Sequence, residues 1–222
     1  AAYHLPGVLR VRGTLDPQAL QQAFSALAER QQVLRSTFTQ DEHGQPVQRI
    51  QAHAQVLIER HAAADEAAFQ AFAGAFMARP FDLSETPPWR VALVDLDAGE
   101  QRLLLCLHHL LSDGWSVQVL LGEFVALYNA ACDGTSAALP ALPVQYADYA
   151  AWQREWLAAG EGERQLAYWR AQLGDEQPLL ELPCDHPRPA QQSFRGARLH
   201  FALDPALSER LRRLAKAQGA TP

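Results

Sequence analysis

Two adjacent histidines followed by an Asp-Gly pair are the residues of this sequence best suited to chemistry. They lie in the segment 107–116, which reads Leu-His-His-Leu-Leu-Ser-Asp-Gly-Trp-Ser. An apolar run typical of a buried strand precedes the pair, and a helical pattern follows the segment. Because neighbouring residues on a strand point to opposite faces, His108 and His109 cannot both enter one cleft. The pattern argues against a two-histidine metal site and predicts one imidazole in a cavity while the other packs inward.

The Asp113-Gly114 pair lies where the chain must turn between this strand and the helix. Glycine permits the positive φ that such turns often need. A carboxylate is costly to bury unless a cation or several donors meet it. Taken alone, the segment fits equally well a structural turn that carries a solvent-exposed pair of histidines.

Strands and helices alternate along the rest of the sequence and must position the motif. The strand before it, predicted over 102–108, is apolar on both faces and is expected at the centre of its sheet. Other strands are predicted at 8–12, after 33–38, at 55–59, at 89–96 and at 196–203. Helices are predicted at 16–28, 63–78, 117–128, 144–157, 162–173 and 204–217. This mixture indicates an α+β or α/β protein with an extended linker near residue 185 and a second lobe after it.

Length and charge restrict the class of partner. The chain has 222 residues, 48% of them hydrophobic, which suffices for one sizeable core or two small ones. The net charge of −6 is spread along the chain without a basic patch, so nucleic acid is not an expected partner. No apolar run reaches the roughly 18 to 20 residues of a membrane span, and no signal peptide opens the chain. Both ends are expected to be cuts in a longer protein.

The three cysteines, Cys106, Cys132 and Cys184, lie far apart and form no Cys-x-x-Cys pair. Neither a zinc knuckle nor a disulfide framework is therefore expected. This usage is typical of a reduced, cytoplasmic protein. Cys106, beside the motif, is expected to behave as a small buried hydrophobe.

The motif resembles the His-His-x-x-x-Asp-Gly signature of nonribosomal peptide synthetase condensation domains, and related acyltransferases share His-x-x-x-Asp-Gly. Segment 30–38 resembles that family's Arg-His-Glu-x-Leu-Arg-Thr-x-Phe block, with Gln31 and Gln32 as departures. Segment 146–154 resembles its Tyr-x-Asp-Phe/Tyr-Ala-x-Trp-x-Arg block, and segment 182–189 its Leu-Pro-x-Asp-x-Pro-Arg-Pro linker. The family's later blocks are absent from this sequence.

The resemblance implies a chloramphenicol-acetyltransferase-like lobe, an α+β arrangement of a mixed sheet flanked by helices. In this family two such lobes form a V with the histidine motif at their junction. By the resemblance, residues 1–178 are the N-terminal lobe, 179–195 an extended linker, and 196–222 the start of a C-terminal lobe that is missing here.

The resemblance also implies the reaction. The α-amine of an acceptor aminoacyl thioester attacks a donor aminoacyl or peptidyl thioester, and each rides on the 4′-phosphopantetheine arm of a separate carrier domain. Upstream and downstream carrier domains, an adjacent adenylation domain and the C-terminal lobe are the expected partners, and no directly bound cofactor is expected. An α-ammonium has a pKa of roughly 7.7 to 8.0, so a neutral imidazole could take its proton or orient the free amine.

By its position in the motif, His109 is expected to be catalytic, and His108 to be packed in a supporting role. Asp113 is expected to be a structural anchor rather than a base, with Arg35 as its ion-pair partner. The alternative for Arg35 is a solvated charge at a strand edge.

Gly114, Trp115 and Ser116 follow the motif's aspartate and are expected to bind substrate, with a core position as the alternative for Trp115. Three residues of the 146–154 block are expected to tie a helix to the lobe: Asp148, Trp152 and Arg154. The order Asp-Gly-Trp-Ser argues against an epimerisation domain and favours the subtype that joins an L-configured donor to an L-configured acceptor. Two alternatives remain, a coenzyme A-dependent His-x-x-x-Asp-Gly acyltransferase and a non-catalytic module that recruits a partner enzyme.

Overall fold

Four strands form the sheet that carries the histidine motif. A computed structural model describes residues 2–53, 55–97, 99–175, 180–194, 196, 197, 199 and 201–221. The strands of this sheet are β1 (His4–Val11), β4 (Ile58–Ala63), β5 (Trp89–Leu96) and β6 (Glu100–His108). Their order is β1-β6-β5-β4; β6 runs antiparallel to both of its neighbours, and β4 runs parallel to β5. A separate antiparallel hairpin consists of β2 (Ser36–Gln40) and β3 (Pro46–Ile50).

Six α-helices accompany these strands in the described part of the chain. They are α1 (Pro17–Arg30), α2 (Glu66–Ala78), α3 (Gly114–Cys132), α4 (Tyr146–Trp156), α5 (Gly162–Leu173) and α6 (Pro205–Ala217). A 3₁₀ turn, Gln32–Arg35, links α1 to β2, and a wide turn, Leu157–Glu161, links α4 to α5. In that turn Gly160 adopts a φ of +112°, which glycine reaches without steric cost.

The start of α1 follows from local signals. Asp16 accepts a hydrogen bond from the Ala19 N–H at 2.8 Å, and Pro17 occupies the first turn, where no intrahelical donor is needed. The predicted apolar face of this helix is buried: Leu20, Phe24, Leu27 and Ala28.

Alternation along β6 divides the core into two clusters on opposite faces of the sheet. Leu103 and Leu107 pack with α1 and α3, whereas Leu104 and Cys106 pack with α2. The strand is thus buried on both faces, between β1 and β5, and its predicted central position is confirmed. Because His108 has the same parity as Leu104 and Cys106, it is directed to the α2 face.

Several predicted boundaries were wrong. The β3 strand was not predicted, the strand expected at 55–59 runs from Ile58 to Ala63, and the helix expected at 63–78 begins at Glu66. Of the strand expected over 196–203, positions 198 and 200 lie outside the described residues, and the described residues of that range form no strand.

The mixed sheet flanked by helices confirms the predicted α+β class. The chain divides into two compact units, Ala1–Gln177 and Pro178–Pro222. Assignment of these parts to an N-terminal lobe, a linker and a second lobe stays a prediction. None of the helices within the described ranges is long and apolar enough to cross a membrane.

Candidate active site

The loop after β6 presents the two histidines. The His108 N–H donates to the Pro88 carbonyl at 2.9 Å, and the His109 N–H donates to the Tyr3 carbonyl at 2.8 Å. The backbone of the pair is therefore held from both sides, by the residue before β1 and the residue before β5. The chain turns immediately afterwards, where the Leu111 N–H donates to the His108 carbonyl at 2.9 Å.

His108 packs inward against an aromatic cluster. Its ring centroid lies 5.9 Å from that of Tyr3, 6.2 Å from that of His4 and 6.4 Å from that of Phe81. Burial, followed by the nearby imidazoles of His4 and His109, lowers the pKa of His108 below its ordinary value. These contacts fit the expected supporting role and favour the neutral imidazole.

His109 is exposed and lines a cleft of about 400 Å³. The polar and aromatic side chains around it come from the residue after α1, the motif loop, α3 and α4: Gln31, Ser112, Asp113, Trp115, Ser116 and Tyr146. The two adjacent imidazoles thus have different surroundings. His108 is half-buried beside three rings, and His109 is available to a ligand.

Asp113 is the N-cap of α3 rather than a buried anchor. Its carboxylate accepts hydrogen bonds from the Ser116 N–H at 2.8 Å and from the Ser116 hydroxyl at 2.7 Å, and the residue is exposed. These two bonds lower the pKa of Asp113. Ser116 of α3 thus supplies the hydrogen-bond donors to the Asp113 carboxylate that the Arg35 guanidinium was expected to supply.

The ion pair predicted between Arg35 and Asp113 was wrong. The Arg35 guanidinium donates instead to the carbonyls of Gln51 and Ala52, just after β3. Arg35 therefore ties the end of β3 to the 3₁₀ turn, and Asp113 is satisfied within its own helix.

Gly114 lacks the positive φ that such a turn often needs, and Trp115 lies at the cleft rather than in the core. Gly114 begins α3, is not among the described glycines with positive φ, and has no described atom within 4 Å of an added Cβ. Trp115 is 84% exposed at the cleft, so the alternative of a core position for this indole was wrong. Gly114, Trp115 and Ser116 are therefore adjacent to His109, while their role in substrate binding stays a prediction.

A polar network behind the cleft was missed by sequence reasoning. Arg30 donates to Glu123 at 3.0 Å, and the Gln31 amide donates to the second carboxylate oxygen of Glu123 at 2.8 Å. The Gln145 side chain accepts from the Gln32 N–H at 3.1 Å and donates to the Arg30 carbonyl at 3.1 Å. The network joins the end of α1 to α3 and to the start of α4. The signal in the sequence was an acidic residue on the apolar face of α3.

The three residues expected to tie α4 to the lobe behave differently from one another. Asp148 accepts from the Gln145 N–H at 2.9 Å and so closes the first turn of α4. Trp152 and Arg154 are exposed, and the Trp152 ring stacks on Trp156 of the same helix at 5.5 Å. In the part of the chain that the structure describes, no hydrogen bond or ion pair links Trp152 or Arg154 to another element, whereas Gln145 bonds the start of α4 to the end of α1.

The chemistry that this site can support is acid–base and positioning chemistry. Cys106 is buried, as predicted, and burial raises the pKa of its thiol, which makes it a poor nucleophile. Within the described ranges, no group of three or more His, Cys, Asp or Glu residues could hold a metal ion. An exposed imidazole in an open cleft can accept a proton or a hydrogen bond from a bound amine.

Comparisons with known proteins agree on one family. A family model described as condensation domain matches residues 1–222. A plipastatin synthase protein of Bacillus subtilis (strain 168) is 40% identical over 219 residues, which are 99% of this chain and 6% of that protein. The malpinin synthetase of Mortierella alpina is 39% identical over 229 residues, covering 99% of this chain and 3% of that synthetase. The chain therefore spans a small fraction of the length of these relatives.

Two solved structures share the fold. The X-domain in its complex with OxyB from teicoplanin biosynthesis is 32% identical with a TM-score of 0.84, over 98% of this chain and 48% of that chain. The first condensation domain of the calcium-dependent antibiotic synthetase, in complex with substrate analogue 2a, is 25% identical with a TM-score of 0.73. That match covers 99% of this chain and 51% of that chain.

Proposed function

The chain belongs to the condensation domain family, and from this premise we propose that it carries the catalytic histidine of peptide-bond formation in nonribosomal peptide synthesis. In the proposed reaction, the α-amine of an acceptor aminoacyl thioester attacks the carbonyl carbon of a donor aminoacyl or peptidyl thioester. A C–N bond forms, the C–S bond breaks, and the donor's thiol leaves with the proton that the amine gives up. Because the thioester is already activated, the reaction needs no enzyme nucleophile.

The observation that carries the proposal is the exposure of His109 to the cleft while its neighbour His108 is half-buried against aromatic rings. As a neutral imidazole, His109 accepts the proton of the attacking amine or holds that amine in line with the thioester carbonyl. Trp115 and Ser116 line the same cleft, and Gly114 lies beside them. We assign these three residues to substrate binding and Asp113 to fixing the start of α3.

The substrates in this proposal arrive on the 4′-phosphopantetheine arms of an upstream and a downstream carrier domain, with an adenylation domain next to them. The reaction takes place at the junction with a second lobe. We further propose that donor and acceptor are both L-configured, which the Asp-Gly-Trp-Ser order at 113–116 supports. The three cysteines, all of them described, are free, which is consistent with a cytoplasmic location.

A single-turnover assay tests the reaction. Donor and acceptor carriers, each loaded with an L-amino acid, are mixed with the full-length protein, and the acceptor carrier is analysed by mass spectrometry. We expect a dipeptidyl acceptor, and a D-configured donor is expected to react more slowly. Absence of product with every loaded pair would contradict the proposal.

The 222-residue chain by itself is expected to give no dipeptide above background. It covers 51% of the solved condensation domain, so two carrier-borne arms would lack the opposite wall of the channel. Product at a rate close to that of the full-length protein would mean that these residues hold the whole active site. That outcome would favour a smaller acyltransferase that uses coenzyme A thioesters, which a coenzyme A turnover assay detects.

A second candidate function is the recruitment of a partner enzyme. The X-domain, to which this chain is 32% identical, was solved in complex with OxyB. A recruitment module would bind its partner protein equally well with His109 replaced, whereas a condensation domain would lose its reaction. Absence of dipeptide with the unsubstituted full-length protein, together with tight binding of a partner enzyme that His109→Ala leaves unchanged, would decide for recruitment.

A further inference from the structure

His108 makes a hydrogen bond that determines the state of its ring. The Leu110 N–H donates to Nδ1 of His108 at 3.1 Å. A ring nitrogen that accepts a hydrogen bond carries a lone pair, so the proton of the neutral ring is on Nε2. The bond can form only while His108 is neutral, because both ring nitrogens of an imidazolium are donors.

This bond is one of three hydrogen bonds that fix the backbone on both sides of His109. The His108 ring accepts from the Leu110 N–H, and the His108 backbone carbonyl accepts from the Leu111 N–H at 2.9 Å. The Tyr3 carbonyl accepts from the His109 N–H at 2.8 Å. The peptide units on both sides of His109 are therefore fixed, and two of the three bonds come from His108. The direction in which the His109 side chain leaves the backbone depends on these bonds.

We propose that His108 is a positioning residue whose neutral, Nε2-protonated ring holds the 108–111 turn and thereby aims His109 into the cleft. The consequence for the reaction rate rests on the function proposed above. The tautomer and the turn do not rest on it, because they follow from the geometry of the loop.

The surroundings of the ring favour the neutral state. Tyr3 and His4 face it from the segment that enters β1, and Phe81 closes the cluster from the loop after α2. Arg90, from β5, lies over the Phe81 ring, with its guanidinium carbon 4.0 Å from the ring centroid. Besides the Tyr3 phenol, the titratable groups near His108 are His4, His109 and the Arg90 guanidinium, each of which is neutral or cationic. In the described part of the chain, no carboxylate contacts the His108 ring. Burial and the two imidazoles lower the pKa of His108, which keeps Nδ1 available as an acceptor at neutral pH.

Three substitutions separate positioning from simple packing. Asparagine places its Oδ1 acceptor close to the position of Nδ1, whereas glutamine extends its amide toward the position of Nε2, and alanine has neither. In the full-length protein, we expect H108A and H108Q to lose about 10²-fold in kcat with little change in KM, because His109 is misplaced. We expect H108N to recover most of this and to remain within about tenfold of the original rate. Equal losses for H108N and H108Q would overturn the positioning role.

Nuclear magnetic resonance of the unsubstituted 222-residue chain tests the geometry without any activity. With ¹⁵N-labelled histidine, His108 should show an unprotonated Nδ1 and a protonated Nε2 at neutral pH, and it should titrate below the roughly 6.5 of a free histidine. The Leu110 amide should exchange slowly, and its protection should survive in H108N but not in H108Q. A protonated Nδ1 or an unprotected Leu110 amide would overturn the inference. If the tautomer is as expected while the full-length protein forms no dipeptide, the proposed function fails and the positioning of the loop stands.

Discussion

Two helices of this chain, α3 and α6, begin in the same way and have different surroundings. Asp113 accepts from the Ser116 N–H at 2.8 Å, and Asp204 accepts from the Leu207 N–H at 2.8 Å. The α3 helix buries Leu120, Glu123 and Phe124, whereas α6, described along its whole length, buries no residue. Its apolar stripe stays exposed: Leu207, Leu211 and Leu214.

The difference shows which properties of a helix are local. An aspartate cap and an amphipathic pattern suffice to start and orient a helix in both places. Of these two helices, α3 packs its apolar face against the sheet and α1, so its side chains contribute to the stability of the first unit. Substitutions in the first unit and their counterparts at 180–221 should therefore differ in their effects, and four such pairs follow.

The largest difference is expected between the two histidines His109 and His186. In the full-length protein, His109→Ala should reduce peptide-bond formation by about 10²- to 10⁴-fold, because the proton acceptor in the cleft is lost. His186 is exposed in segment 180–194, so His186→Ala should leave the rate unchanged. Single-turnover kinetics with loaded carriers measure both. A loss below about tenfold for His109→Ala would contradict both the base role and the orienting role of the imidazole.

The next difference concerns buried and exposed leucines. Leu104 is completely buried on β6, and Leu104→Ala should lower the free energy of unfolding by about 2 to 5 kcal/mol through lost burial and the cavity left behind. Leu214 is 59% exposed on α6, and Leu214→Ala should change the free energy of unfolding by less than about 0.5 kcal/mol. Urea unfolding of the 222-residue chain measures both values. A comparable loss for Leu214→Ala would show that α6 is packed in solution.

A smaller difference is expected between two ion pairs. Glu123 pairs with Arg30 at 3.0 Å, and both side chains are largely buried; Glu123→Gln should cost about 1 to 3 kcal/mol because a buried cation loses its counter-charge. Glu209 pairs with Arg212 at 3.5 Å on the exposed surface of α6, and Glu209→Gln should cost less than about 0.5 kcal/mol. The same unfolding experiment tests both, and adding salt should affect only the exposed pair. Equal costs would mean that the network behind the cleft is as solvated as the surface pair.

Much of the fold was predictable because its signals are local. The caps at Asp16 and Asp204 gave the helix starts, and the doubly apolar run at 102–108 gave the central strand. The β3 strand was not predicted, since Pro46–Ile50 is short, begins with proline and becomes a strand only through its pairing with β2. A strand that depends on its hairpin partner has little signal of its own.

The site was predictable to the level of the motif and less so beyond it. Alternation along a strand predicts that one of the two histidines packs inward. Which of the two does so depends on which face of the sheet α2 covers. The Arg35–Asp113 pair was wrong because the expected cation was unnecessary once the helix supplied two donors. Glu123 was missed because its partner Arg30 is 93 residues away in the chain, and no local pattern joins the two.

The smallest difference is expected between the two aspartate caps, Asp113 and Asp204. Asp113→Ala removes the acceptor for the first turn of a helix that packs on the sheet, so the loss should lower the Tm of the first unit by about 2 to 4 °C. Asp113→Asn keeps a capping oxygen and should recover most of this loss. Asp204→Ala removes an equivalent cap from a helix without buried residues, so α6 should fray while the Tm of the first unit stays the same.

The dependence on pH checks that the Asp113 carboxylate is the group responsible. Its pKa is lowered in the folded chain by the Ser116 bonds, so its contribution is present above the pKa of the unfolded state, near 3.9, and is lost as the pH falls through the folded value. The difference in Tm between the original chain and Asp113→Asn should therefore be constant from pH 5 to 8 and should shrink only in strong acid. If this difference in Tm is already lost near pH 6.5, the titrating group is a histidine rather than Asp113. A decrease in Tm much larger than 4 °C for Asp113→Ala, without recovery by Asp113→Asn, would indicate that Asp113 forms a buried ion pair rather than a helix cap.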